Sequence, residues 1–150
     1  MTAQAKIALN IAPKTAAHGH AHGREALFGA LPFPDLIDLF TPFLNTIHRE
    51  HMVVAGLDDR GRLTAFAEIS GCQTRVDGVI SAIRAVLAPA ATRCIIMAHS
   101  HVVGDAKPSP ADIAATRHVD RLSRLAGVRL LDHLIYCKGV WVSMSELGCV

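Results

Sequence analysis

The sequence predicts an α/β domain, a mixed β-sheet flanked by helices. Three observations predict it. Short apolar runs of strand length recur at 52–57, 62–70, 93–98, 128–136 and 140–145. Two amphipathic stretches, 76–88 and 112–126, separate them at helical spacing. The strand–helix–strand order then favours a right-handed crossover that returns each run to one sheet. At 150 residues, with 51% hydrophobic residues, the chain is long enough for one domain with a substantial core.

Residues 1–33 read as a flexible N-terminal segment, rich in Ala, Thr, Lys and Gly, before a domain spanning 34–150. Within it, His18-Gly19-His20-Ala21-His22-Gly23 is a histidine tract. Such tracts can bind metal, but glycine spacing supplies no fixed geometry, so a solvated segment is the expectation. Residues 34–49 place Leu36, Leu39, Phe40, Phe43, Leu44 and Ile47 on one helical stripe, with a kink or restart after Thr41 at Pro42. The stripe docks onto the sheet or onto a partner chain, so a homo-oligomer is one expected assembly.

Residues 52–57 and 62–70 form a hairpin around Asp58-Asp59-Arg60-Gly61. Strand parity puts Glu68 with Thr64, Phe66 and Ser70. The next helix turns Val79, Ile80, Ile83, Val86 and Leu87 inward, and Pro89 stops it. The run Cys94-Ile95-Ile96-Met97-Ala98 is a buried strand. The 112–126 helix is expected to bury Ala115, Val119, Leu122 and Ala126, with Arg117, Arg121 and Arg124 in solvent and Asp120 supporting Arg124. Gly127 ends that helix, and Lys138-Gly139 turns between the last two strands. His133, inside an apolar strand, reads as a hydrogen-bonded buried histidine.

Charge and cysteine content narrow the function. Fifteen basic residues against thirteen acidic leave +2, too little to argue for nucleic acid. No run approaches membrane-spanning length. The first residues lack a secretory layout, which makes a cytoplasmic location the default. Cys72, Cys94, Cys137 and Cys149 contain no Cys-x-x-Cys pair, arguing against a zinc ribbon or redox dithiol. Cys94 and Cys137 are expected to be packed thiols.

The chemistry concentrates between residues 99 and 112. His99 and His101 lie two apart after the apolar strand and project from one face. Seven residues later comes Ser109, and two residues after that Asp112. Ser109-Pro110-Ala111-Asp112 is a helix start, with Ser109 as cap and an acidic residue in the first turn. Two imidazoles and one carboxylate converging leave a fourth position for water, the pattern of a catalytic zinc.

That spacing resembles the JAMM motif of JAB/MPN-type metalloproteins. Gly104-Asp105, Pro108-Ser109, Asp112, Thr116, Ala126-Gly127-Val128, Leu131-Asp132-His133-Leu134-Ile135 and Ser143-Met144-Ser145-Glu146-Leu147-Gly148 resemble the RadC-like branch. The similarity runs from about residue 51 to the C-terminus, and His22-Gly23-Arg24-Glu25-Ala26-Leu27 resembles the opening of longer RadC-like proteins. The resemblance implies a JAB/MPN-like fold with a cytidine-deaminase-like layered architecture. It implies zinc held by His99, His101 and Asp112, a strand glutamate as general base (Glu68 ahead of Glu50), and Ser109 as donor to a developing oxyanion. The implied reaction is hydrolysis of an amide or isopeptide bond in a peptide or protein conjugate. A non-catalytic interaction module and a nucleic-acid-directed protein are the alternatives. One departure stands out: His99-Ser100-His101-Val102-Val103-Gly104 replaces the usual His-Asn-His-Pro-Ser-Gly. The ligands survive, while the rigid Pro-Ser step is lost.

Overall fold

A computed structural model describes residues 6–7, 33–45, 48–70 and 76–150. The flexible-segment expectation for 1–33 and the His18–His22 tract fall almost wholly outside them, as do Ile47 and Cys72. The elements are β1 (Lys6–Ile7), α1 (Phe33–Leu44), β2 (His51–Leu57), β3 (Leu63–Ser70), α2 (Val76–Leu87), β4 (Cys94–Ser100), α3 (Pro110–Leu125), β5 (Arg129–Cys137) and β6 (Val140–Ser143). The strands form one sheet in the order β1-β3-β2-β4-β5-β6. Among the described strands, only β4 and β5 run parallel; the other neighbours are antiparallel. The α/β mixed sheet is as the sequence predicts.

The alternation of strand side chains sorts the core onto two faces. On one, Leu36, Phe40 and Leu44 of α1 pack on Val53, Ala55, Phe66, Ile96, Ala98 and Leu134. On the other, α2 and Val119 of α3 cover Met52, Val54, Ala67, Ile69, Ile95 and Met97. The hairpin turn is built by Asp58. Its Oδ1 accepts from the Arg60 and Arg62 amides at 2.9 and 2.8 Å, and its Oδ2 from the Arg62 guanidinium at 2.7 Å. Gly61 completes the turn at φ +73°. Gly56 lets α2 approach the sheet, since a Cβ there would sit 2.8 Å from Val86 Cγ1 and 3.0 Å from Thr64 Oγ1.

Three expectations change. Helix α1 is continuous through Pro42 and ends at Leu44, with no restart after Thr41. The carbonyl that Pro42 leaves unpaired belongs to exposed Asp38, where water can serve it. Strand β4 runs on to Ser100, because Met52 of β2 and Ile135 of β5 still flank His99. Helix α3 starts at Pro110 and buries Asp112, Thr116, Val119 and Ser123. Ala115 and Leu122 are only half-buried and Ala126 is exposed, because the helix is rolled to bring its polar stripe onto β4 and β5. Arg117, Arg121 and Arg124 are exposed as expected, and Arg124 Nε donates to Asp120 at 2.9 Å. Cys94 and Cys137 are buried free thiols. No described helix is long and apolar enough to cross a membrane.

Candidate metal centre

Strand β4 lies in the middle of the sheet, and all seven of its residues are buried. His99 shares parity with Ile95 and Met97 and so points to the face covered by α2 and α3. His101 follows immediately, its N–H held by Tyr136 O at 2.8 Å, which extends the pairing with β5. The N-terminus of α3 arrives at the same corner. His99 Nε2 and His101 Nε2 are 3.0 Å apart. Asp112 Oδ1 lies 3.2 Å from His99 Nε2, and Asp112 Oδ2 lies 3.4 Å from His101 Nε2. One ligand atom from each of His99, His101 and Asp112 falls within 4.8 Å of the others, the one such group among the described residues. His99 and Asp112 are buried and His101 half-buried, so the site is open on the His101 side.

Surrounding groups fix these side chains. Ser109 caps α3: its Oγ accepts from the Asp112 amide at 3.2 Å. The Ser109 amide and hydroxyl both donate to Asp112 Oδ2, at 2.8 and 2.6 Å. Oδ1 is therefore the oxygen left to face His99. Burial works to raise the Asp112 pKa, but the facing His99 ring and the hydrogen bonds from Ser109 outweigh it and hold the carboxyl well below the usual range. His101 Nδ1 is 2.8 Å from Asp105 O. A carbonyl only accepts, so Nδ1 carries the proton and Nε2 presents its lone pair inward. An inward lone pair, a second imidazole nitrogen 3.0 Å away and a carboxylate oxygen call for a positive centre among them. The donor set suits zinc, which takes imidazole and carboxylate together.

The RadC-like JAB domain family matches residues 33–149. This chain belongs to that family. Its relatives include the UPF0758 protein of Cellvibrio japonicus, 35% identical over 88% of this chain and 60% of that protein. The UPF0758 protein of Acidithiobacillus ferrooxidans is 39% identical over 67% of this chain and 45% of its own length. That of Alcanivorax borkumensis is 34% identical over 88% and 61%. The RadC-like chain thus spans about half to three fifths of the curated relatives it matches.

Not every residue expected at this RadC-like site is there. His99, His101, Ser109 and Asp112 come together, and Glu68 does not. Glu68 has the parity of Phe66, which packs under α1, whereas Ala67 and Ile69 face α2. It therefore lies on the opposite side of the sheet from His99, and two strands away, since Glu68 pairs with Val53 and Val53 with Ala98. Its Oε1 sits 3.4 Å from His51 Nδ1 instead. The other carboxylate weighed, Glu50, immediately precedes β2 and lies two residues before Met52, which pairs with His99. The Ser109 hydroxyl proton is held by Asp112 in this structure, which makes Ser109 a cap and a clamp first. Two partners went unread in the sequence: Thr116 and the link from His133 to His99. Thr116 is four residues after Asp112, hence on the same face of α3, and that spacing was the available signal.

Proposed function

We propose that this RadC-like domain is a zinc-dependent hydrolase of the JAMM type, acting on an amide or isopeptide bond in a peptide or protein conjugate. The observation that carries the reading is the convergence of His99 Nε2, His101 Nε2 and Asp112 Oδ1 at a corner open on one side. When bound there, zinc supplies Lewis acidity that polarises a carbonyl and acidifies water. The chain's own groups do the rest. Glu50 takes the proton of the attacking water and returns it to the leaving nitrogen. Rotation of the Ser109 hydroxyl away from Asp112 Oδ2 would let it donate to the developing oxyanion while the Ser109 amide keeps Oδ2 in place. Val103, two residues after His101 and 78% exposed, would offer an apolar contact to a substrate.

The test is hydrolysis of a lysine-isopeptide and peptide library by zinc-loaded protein. Glu50→Gln is expected to keep zinc and lose turnover by a factor of about 100 or more, the scale of general base catalysis. Glu68→Gln is expected to leave turnover unchanged. Activity that survives Glu50→Gln but falls in Glu68→Gln would return the base to the hairpin's second strand. Zinc binding without cleavage of any library member would favour a metal-holding interaction module.

A further inference from the structure

Behind His99 lies a buried polar chain that the hydrolytic reading does not use. His99 Nδ1 is 2.7 Å from His133 Nε2. His133 Nδ1 is 2.6 Å from Thr116 Oγ1. Thr116 Oγ1 is in turn 2.6 Å from Asp112 O, one helical turn back, and 3.3 Å from Met144 Sδ. His133 is 1% exposed and Thr116 fully buried, so water cannot stand in for any of these partners.

We infer that Thr116 and His133 set the tautomer of His99, making His133 a positioning residue that turns a bare His99 Nε2 toward the metal. Proton counting supports this direction. Asp112 O and Met144 Sδ can only accept, so the 2.6 Å contact to Asp112 O requires the single Thr116 hydroxyl proton. The contact to Thr116 must then use a proton on His133 Nδ1. The buried His133 ring meets only a hydroxyl and another imidazole at its two nitrogens, with no carboxylate on either, so burial favours its neutral form. A neutral ring protonated at Nδ1 has a bare Nε2, which accepts from His99 Nδ1–H. His99 Nε2 is left with its lone pair, 3.0 Å from His101 Nε2 and 3.2 Å from Asp112 Oδ1. The reverse direction would place two acceptor oxygens 2.6 Å apart with no proton between them. The chain also starts and ends on α3, so Asp112 supplies one ligand through its carboxylate and orients another through its backbone carbonyl.

The inference rests on the metal reading, and two measurements separate them. Long-range proton–nitrogen correlation on metal-free wild-type protein is expected to show His99 Nδ1 protonated. A bare His99 Nδ1 overturns the inference. Zinc affinity, read by chelator competition, is expected to fall roughly 10–100-fold in His133→Leu and Thr116→Val. Thr116→Ser restores the hydroxyl and is expected to bind as wild type does. Wild-type affinity in folded Thr116→Val and His133→Leu overturns the inference. A wild-type chain that takes up no zinc contradicts the metal reading alone, because the nitrogen spectrum still reports the tautomer.

Discussion

Asp112 holds two structures together at the scale of one residue. Its Oδ2 takes two hydrogen bonds from Ser109, and its Oδ1 faces His99. Ser109→Ala removes the cap and one of those bonds. Thermal or urea unfolding is expected to show a loss of about 0.5–2 kcal/mol, with weaker zinc binding because Oδ2 is then held by the backbone amide alone. The grouping of His99, His101 and Asp112 was legible in the sequence because their identities and spacing set it. The face that Glu68 takes was not legible, because alternation says which residues of a strand share a face, and not which face of the sheet that is. Only the pairing of Met52 with His99 and of Val53 with Glu68 and Ala98 puts Glu68 on the face opposite His99. His133 was legible as a satisfied buried ring, but its partner depended on β4 and β5 being parallel neighbours.

At the scale of elements, the hairpin and the helices test the packing. Gly56→Ala pushes a methyl into Val86 of α2, with Thr64 behind it. Because the nearest atoms belong to a β-branched residue in the core, a loss of about 1–3 kcal/mol is expected from denaturant unfolding. The turn aspartate gives a pH signature. Burial works to raise the Asp58 pKa, but the Arg62 amide and guanidinium and the Arg60 amide outweigh it, and the folded value lies below the ordinary one. The unfolded chain therefore takes up this proton first, near pH 3.9. The contribution of Asp58 is full above that pH and is lost as pH falls toward the folded value. Urea midpoints for wild type and Asp58→Asn are expected to differ at pH 6, with the gap narrowing as pH falls below about 3.9; a constant gap would contradict the assignment. Strand and helix existence was legible from apolar period for every described element but β1, whose two residues fall in the stretch read as a flexible segment and pair with β3 instead. The inward face of α3 was not, since Asp112 and Thr116 are buried for their hydrogen bonds to Ser109 and His133 and not for hydrophobicity.

At the scale of the whole molecule, an ion held by His99, His101 and Asp112 would tie the middle strand of the sheet to the helix that crosses from β4 to β5. A ligand that binds only the folded state stabilises it by mass action, by about 2.7 kcal/mol at one hundred times its dissociation constant. Zinc is thus expected to raise the melting temperature of the wild type and to leave that of the His99→Ala, His101→Ala double variant unchanged. The α1 layer packs on the far face of the sheet, away from this corner, which is why the fold class could be read from periodicity while the site depended on register. The most direct measurement is diffraction from zinc-soaked crystals collected on both sides of the zinc absorption edge. One anomalous peak per chain is expected among His99 Nε2, His101 Nε2 and Asp112, absent in the double variant. A corner without a peak, or one that persists when both histidines are gone, would contradict the metal centre and the hydrolytic reading built on it.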